Sequence, residues 1–434
     1  MLPLSSMTFD PVAYINAPRW QQVSLGLERT RLLLDELGNP EQQLRFIHVA
    51  GTNGKGSTCA YLNAICQAAG LRTGLFTSPY IERFEERIRV DDSEIPNEAL
   101  LRCTLAVKEA AETVEATTGE HPTEFELMCT VALLHFSQQQ CDICIMEVGL
   151  GGRLDSTNVI TPEVSIITRI GFDHTDILGD ALAEIAAEKA GIIKHGIPCV
   201  TCEQEAVVQE VIEDTCKEKQ SPLVVVHEDD VCSIGLNGYD IRGFAYQGEG
   251  FATRLLGSYQ PENACLAIEG ARTLRERGWD IPPAAVKAGV LKAVWPGRLE
   301  VMSRTPLVII DGAHNPDGAT LLARTLEEFK PKKPPVYVIG VLQDKDVEGI
   351  LEPHIQRGAR YLTYTPRNPR ALKAGYLAFR INVLDSEADV TAYATAEEAV
   401  QHALEEAAPE SPIVAFGSLY SIADVKQALR SCLE

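Results

Sequence analysis

The run HVAGTNGKGST, residues 48–58, sets Gly51, Gly54 and Gly56 around Lys55 and adds the hydroxyls of Thr52, Ser57 and Thr58. It follows a short apolar stretch, residues 46–49, and precedes a helical one, residues 58–69. A strand–loop–helix of this composition offers backbone N–H groups and the positive end of a helix to an anion. Lys55 is placed to meet the β- and γ-phosphates of a nucleotide, and Ser57 or Thr58 to lie beside Mg2+. The spacing is short. The common phosphate loop has four residues between its first glycine and its Gly-Lys pair, whereas here only Thr52 and Asn53 separate Gly51 from Gly54.

Three further polar residues end apolar runs: Ser78 closes RTGLFTSP, Glu147 closes CDICIMEVG, and His174 follows VSIITRIG. In an open parallel sheet the carboxyl ends of the strands line one crevice, so these side chains are expected to converge on the phosphate loop. A carboxylate there suits a Mg2+ that bridges phosphates. Taken singly, Glu147 also fits a solvated strand end and His174 a structural hydrogen bond. Lys189 falls on the same helical stripe as Leu182, Ile185, Ile192 and Ile193, where an ammonium is costly unless paired or neutralised. It can reach solvent along its stem, touch phosphate, or lose its charge chemically. In the second half, VIIDGAHNPDGA puts Asp311 at a strand end with His314 and Asn315 ahead of a helix. Arg298 and Asn263 are candidates for nucleotide contact.

Positioning these groups requires a layered α/β chain. Apolar runs (RFIHVAG, RTGLFTSP, CDICIMEVG, VSIITRIG, GIPCVTC, SPLVVVH) alternate with helical ones, the pattern of a parallel sheet covered by helices. Residues 234–256 change to short Gly- and Tyr-containing pieces, which predicts a small antiparallel excursion before a helix over 261–277. After VWPGRLEV the alternation restarts with PLVIIDG, PVYVIGVL, RYLTYTP and PIVAFGS, so a second α/β domain is expected. The division expected is 1–295 and 296–434. The chain has 434 residues, enough for more than one core. Its formal charge of −22 opposes binding to nucleic acid or anionic lipid. No run approaches a membrane span and the N-terminus has no leader pattern, so a cytoplasmic protein is expected. The pairs Cys141/Cys144 and Cys199/Cys202 have metal-like spacing, but in strands residues three apart face opposite ways, so reduced core cysteines are expected.

GTNGKGS, FTSPYIERFEERIRV, EVGLGGRLDSTN, GFDHTDILG, IAAEKAGIIK, WPGRLE and DGAHNP occur in this order. Together they resemble the folylpolyglutamate synthase and dihydrofolate synthase family of the Mur ligase superfamily. The resemblance implies an N-terminal Mur-ligase-like ATPase domain, with a mainly parallel sheet and a small antiparallel one, and a C-terminal Rossmann-like domain. It implies that Thr52, Asn53, Gly54, Lys55, Gly56 and Ser57 hold ATP phosphates and that Ser78, Glu147 and His174 bind Mg2+. Lys189 matches a lysine carried as a carbamate. Asn263, Arg298 and Asp311 match nucleotide contacts, and His314 a residue on the phosphate and glutamate side. Gly26, Leu27, Glu28 and Arg29, with Thr123, Glu124, Phe125, Glu126 and Leu154, match the segments that hold a pterin.

The implied reaction transfers the γ-phosphoryl group of ATP to a carboxylate, and the amine of L-glutamate then attacks the acyl phosphate. Dihydropteroate or a reduced folate is the implied acceptor, and the family suggests a monomer. A peptidoglycan Mur ligase is the nearest alternative, although such enzymes usually carry another domain ahead of the loop. A P-loop switch is a second alternative, but no Asn-Lys-x-Asp guanine-reading element is present.

Overall fold

The computed structural model describes residues 9–17, 26–173 and 175–433. They form two compact units: the chain up to Glu228 with Asn263–Val290, and Asp229–Glu262 with Leu291–Glu434.

The first unit is built on β1 (Phe46–Ala50), β2 (Thr73–Phe76), β3 (Ile88–Val90), β4 (Ser93–Glu94), β5 (Ile143–Glu147), β6 (Val164–Ile167), β7 (Cys199–Cys202) and β8 (Leu223–Val226). Their order is β4-β3-β2-β5-β1-β6-β7-β8. Every pairing from β2 through β8 is parallel, and β3 and β4 add an antiparallel edge. Every residue of β1 and β5 is buried, which explains why these strands read as continuous apolar runs rather than as alternating ones. One core cluster joins Phe46, Phe76, Met146 and Phe136, and another joins Ile167, Ile185, Ile193 and Ile212. The helix expected from Thr58 begins at Lys55, because Gly54, with φ 92, takes the N-cap position. The phosphate-loop lysine is therefore the first residue of the helix.

The second unit holds an antiparallel sheet of β9 (Val231–Asn237), β10 (Ile241–Tyr246) and β11 (Glu249–Thr253), in the order β11-β10-β9. Its larger sheet contains β12 (Glu300–Arg304), β13 (Leu307–Ile310), β14 (Val336–Ile339), β15 (Arg360–Thr363), β16 (Asp389–Ala392) and β17 (Ile413–Phe416), in the order β12-β13-β17-β14-β15-β16. Only β12 runs antiparallel.

The compact units group Asp229–Glu262 with Leu291–Glu434. The antiparallel excursion groups with the second unit, to which Arg242 on β10, 1% exposed, is one of the ties, with Asp240–Arg304 and Ser258–Thr325. Arg242 Nε donates to Leu256 O at 2.7 Å, and its guanidinium pairs with Glu328 of the helix Pro316–Glu328 at 2.7 Å. VWPGRLEV runs directly into β12 at Glu300. Cys141, Cys144, Cys199 and Cys202 are all buried free thiols, although Cys141 precedes β5 rather than lying on it. Among the described residues no helix is long and apolar enough to cross a membrane.

Candidate active site

Strand β1 lies between β5 and β6, and the register pairs Val49 with Glu147 and Ala50 with Ile167. The loop after β1 thus starts beside Glu147 on one side and Thr168 on the other. Gly51 and Gly54 are sterically required: a Cβ on Gly51 would stand 1.8 Å from Thr168 Oγ1, and one on Gly54 2.2 Å from Asn263 Oδ1. Asn263, on the helix Gln260–Glu276, is therefore brought against the loop. Thr52 N and Asn53 N donate to Arg169 O at 3.0 and 3.2 Å. The Thr52 hydroxyl donates to Gly171 O at 3.0 Å and accepts from Gly171 N at 3.1 Å. Lys55 Nζ folds back onto Gly51 O at 3.0 Å and Thr52 O at 3.1 Å, which holds the ammonium over the loop.

Glu147, 4% exposed at the end of β5, accepts from Ser78 N at 3.0 Å. Ser78 and Glu147 are therefore together, as a site for a hard cation requires. His174, the third expected ligand, lies outside the described residues. Glu147→Gln keeps an acceptor for Ser78 N but loses the charge. The Mg2+ concentration for half-maximal turnover is expected to rise about tenfold or more; an unchanged Mg2+ titration would show that Glu147 is no ligand.

Sequence reasoning overlooked the residues that shape the loop after Glu147. Asp155, buried, accepts from Gly149 N at 3.1 Å, Leu150 N at 2.9 Å and Thr157 N at 3.0 Å, and from the Thr157 hydroxyl. Because Thr157 gives its proton to Asp155, His48 Nε2, 2.8 Å away, is the donor to Thr157 Oγ1. Burial, with Lys194 nearby, pushes His48 down to about 3, so it is neutral. A histidine inside the apolar run of β1 was the available clue.

Lys189 is 5% exposed on the helix Leu182–Ala190, and its Nζ donates to Gly51 O at 2.8 Å. That helix ends at Ala190, so Ile192 and Ile193 of the expected stripe lie beyond it, although both are buried. Burial and then the charge of Lys55 lower its pKa to about 7, against opposing pulls from Asp173 and Asp155. The route to solvent along its stem is not taken.

The two segments expected to hold a pterin meet through Arg29, whose Nε donates to Glu126 Oε2 at 3.0 Å and whose guanidinium pairs with Glu120 at 2.7 Å. Gly26 and Leu27 are half-buried and Glu28 exposed at the start of the helix Glu28–Glu36. Thr123 caps the helix Glu124–Gln138 in a box with Glu126. The Phe125 ring lies where a Cβ on Gly149 would come within 2.4 Å, so this helix packs on the loop that follows Glu147. Burial raises the Glu124 carboxyl against the pull of Arg87, and Leu154 is half-buried.

In the second unit, Asp311 is 2% exposed and accepts from Ala313 N at 2.7 Å, Leu299 N at 2.7 Å and Tyr259 Oη at 3.3 Å. Burial raises its carboxyl, and Arg298 opposes that. His314 Nδ1 donates to Gly312 O at 2.8 Å, and Asn315 caps the following helix through Gly318 N at 2.8 Å.

Residues 49–271 match the Mur ligase middle domain, and residues 297–419 match the Mur ligase, glutamate ligase domain. A folylpolyglutamate synthase of Lacticaseibacillus casei is 37% identical over 97% of this chain and 98% of its own. A dihydrofolate synthase/folylpolyglutamate synthase of Bacillus subtilis is 39% identical over 78% of this chain and 82% of its own. The solved Mycobacterium tuberculosis folylpolyglutamate synthase complexed with ADP superposes with a TM-score of 0.87 at 29% identity, covering 96% of this chain and 98% of that one. By loop, strand order and kinship alike, the chain belongs to the folylpolyglutamate synthase and dihydrofolate synthase family of Mur ligases.

Proposed function

We propose that this chain joins L-glutamate to dihydropteroate and to reduced folates, in an ATP-dependent ligation that makes and lengthens folates. The observation that carries the reading is that Lys55, Lys189, Glu147 and Ser78 gather around one loop at the carboxyl ends of β1 and β5.

Phosphoryl transfer has little covalent work for a protein to do, so positioning and charge dominate. Thr52, Asn53, Gly54, Gly56 and Ser57 supply loop groups to the phosphates, and Lys55 supplies the mobile charge. Asn263 holds the nucleotide side of the loop. Ser78 and Glu147 offer oxygens that fit Mg2+, with His174 as the third ligand; the ion neutralises phosphate charge when bound. Arg298 and Asp311 are assigned to the nucleotide, and His314 to the phosphate and glutamate side. Gly26, Leu27, Glu28, Arg29, Thr123, Glu124, Phe125, Glu126 and Leu154 are assigned to the pterin. The acceptor carboxylate takes the γ-phosphoryl group, the glutamate amine attacks the acyl phosphate, and phosphate leaves. A cytoplasmic monomer completes the reading.

The test is to incubate the protein with Mg-ATP, glutamate and either dihydropteroate or tetrahydrofolate, and to weigh the products. Both acceptors are expected to gain glutamate. Extension of tetrahydrofolate alone would restrict the activity to polyglutamylation, and ATP turnover indifferent to acceptor and glutamate would overturn ligation.

A further inference from the structure

Leu299 holds φ 48 while only 2% exposed. A non-glycine residue remains in that left-handed region only where its surroundings over-determine it, and such residues gather where ligands are handled. The constraints here surround Arg298. Leu299 N donates to Asp311 Oδ2 at 2.7 Å, and Gly312 N donates to Gly297 O at 2.7 Å. On the other side Gly297 N donates to Glu300 Oε2 at 2.8 Å. The backbone is thus tied immediately before and after Arg298, twice to the loop that follows β13 and once to the Glu300 carboxylate.

Glu300 is itself gripped. Lys426, on the helix Leu419–Leu433, places Nζ 3.1 Å from both carboxylate oxygens of Glu300 and is 6% exposed. Taking an ammonium this far out of water is costly, and apolar residues of similar size often stabilise a protein better than such a pair. Stability is therefore a weak reason for the pair, whereas fixing one geometry is a good one. We propose that Lys426 and Glu300 are positioning residues that set the backbone presenting Arg298, and through it the affinity for nucleotide. This rests on the assignment of Arg298 to the nucleotide.

Lys426→Met keeps the length of the stem and removes the charge. The KM for ATP is expected to rise on the order of tenfold, since small misplacements of a binding group are costly, while the KM for glutamate and for the acceptor stays within about twofold. Lys426→Arg, able to grip both oxygens, is expected to restore the ATP KM to within about twofold of wild type. In an Arg298→Ala background, Lys426→Met adds no further loss if it acts through Arg298. Glu300→Gln, which keeps an acceptor for Gly297 N but no charge for Lys426, supplies an independent variant with the same expected rise. A wild-type ATP KM in both Lys426→Met and Glu300→Gln overturns the proposal, as does an additive loss in the Arg298→Ala background. Failure of the underlying assignment is separate: Arg298→Ala alone would then leave the ATP KM unchanged.

Discussion

Lys55→Ala is expected to lower ligation by at least about 10²–10³-fold and to leave the fold in place, because the lysine's charge is assigned to the phosphates while its own contacts are local. Among the described residues its Nζ bonds to Gly51 O and Thr52 O, at 3.0 and 3.1 Å, both within its own loop. Losing them costs roughly 1 kcal/mol each at most, since water can replace the donor at a half-buried position. Lys55 is also the first residue of the helix Lys55–Ala68, and alanine is a better helix former. The glycine geometry that shapes the loop does not involve the lysine: Gly51 is set by Thr168 and Gly54 by Asn263. Turnover of ATP dependent on both acceptor and glutamate, measured beside a thermal melt, checks this. A melt near wild type with turnover near wild type would show that the loop does not act on phosphate.

The legible parts of the sequence were those governed by local pattern. Strands such as β5 and β17 read clearly because burial on both faces leaves uninterrupted apolar runs, and the phosphate loop read clearly because glycines and a lysine between strand and helix have few other uses. The strands β3, β4 and β16, at or next to a sheet edge, did not stand out, being short and partly exposed. The membership of β9–β11 was hidden for a different reason: it rests on partners distant in sequence, Arg242 with Glu328, Asp240 with Arg304 and Ser258 with Thr325. Asp155 was hidden in plain view inside EVGLGGRLDSTN, since nothing local tells that four donors converge on it. Lys189 was legible as an anomaly, a lysine on a buried stripe, but not its partner, Gly51 O.

That partner leads to the second large effect: Lys189→Ala is expected to lose about 10²-fold or more in ligation. Burial and the Lys55 charge bring the Lys189 pKa from 10.5 to about 7. Between these values the folded protein binds fewer protons than the unfolded chain, so the unmodified lysine's contribution to stability is full above 10.5 and is lost as pH falls through about 7. In the same window the amine is neutral and nucleophilic. Its lone pair can attack the carbon of CO2, a C=O pair moves to oxygen, and one N–H proton leaves to solvent, giving a carbamate. The nitrogen keeps one N–H, enough to preserve the 2.8 Å bond to Gly51 O. The new negative charge turns the repulsion from Lys55 into attraction, and this pairing is what must offset the desolvation that burial imposes on any charge there; the carbamate would then brace Lys55. Protein held in CO2-free buffer below pH 7 is therefore expected to lose activity and to regain it with bicarbonate above pH 7, with labelled bicarbonate appearing on Lys189. Short carboxylates are expected to restore part of the activity of Lys189→Ala. A fully active alanine variant, together with an unlabelled Lys189 in the active enzyme, would reduce the lysine to a support for the Gly51 carbonyl.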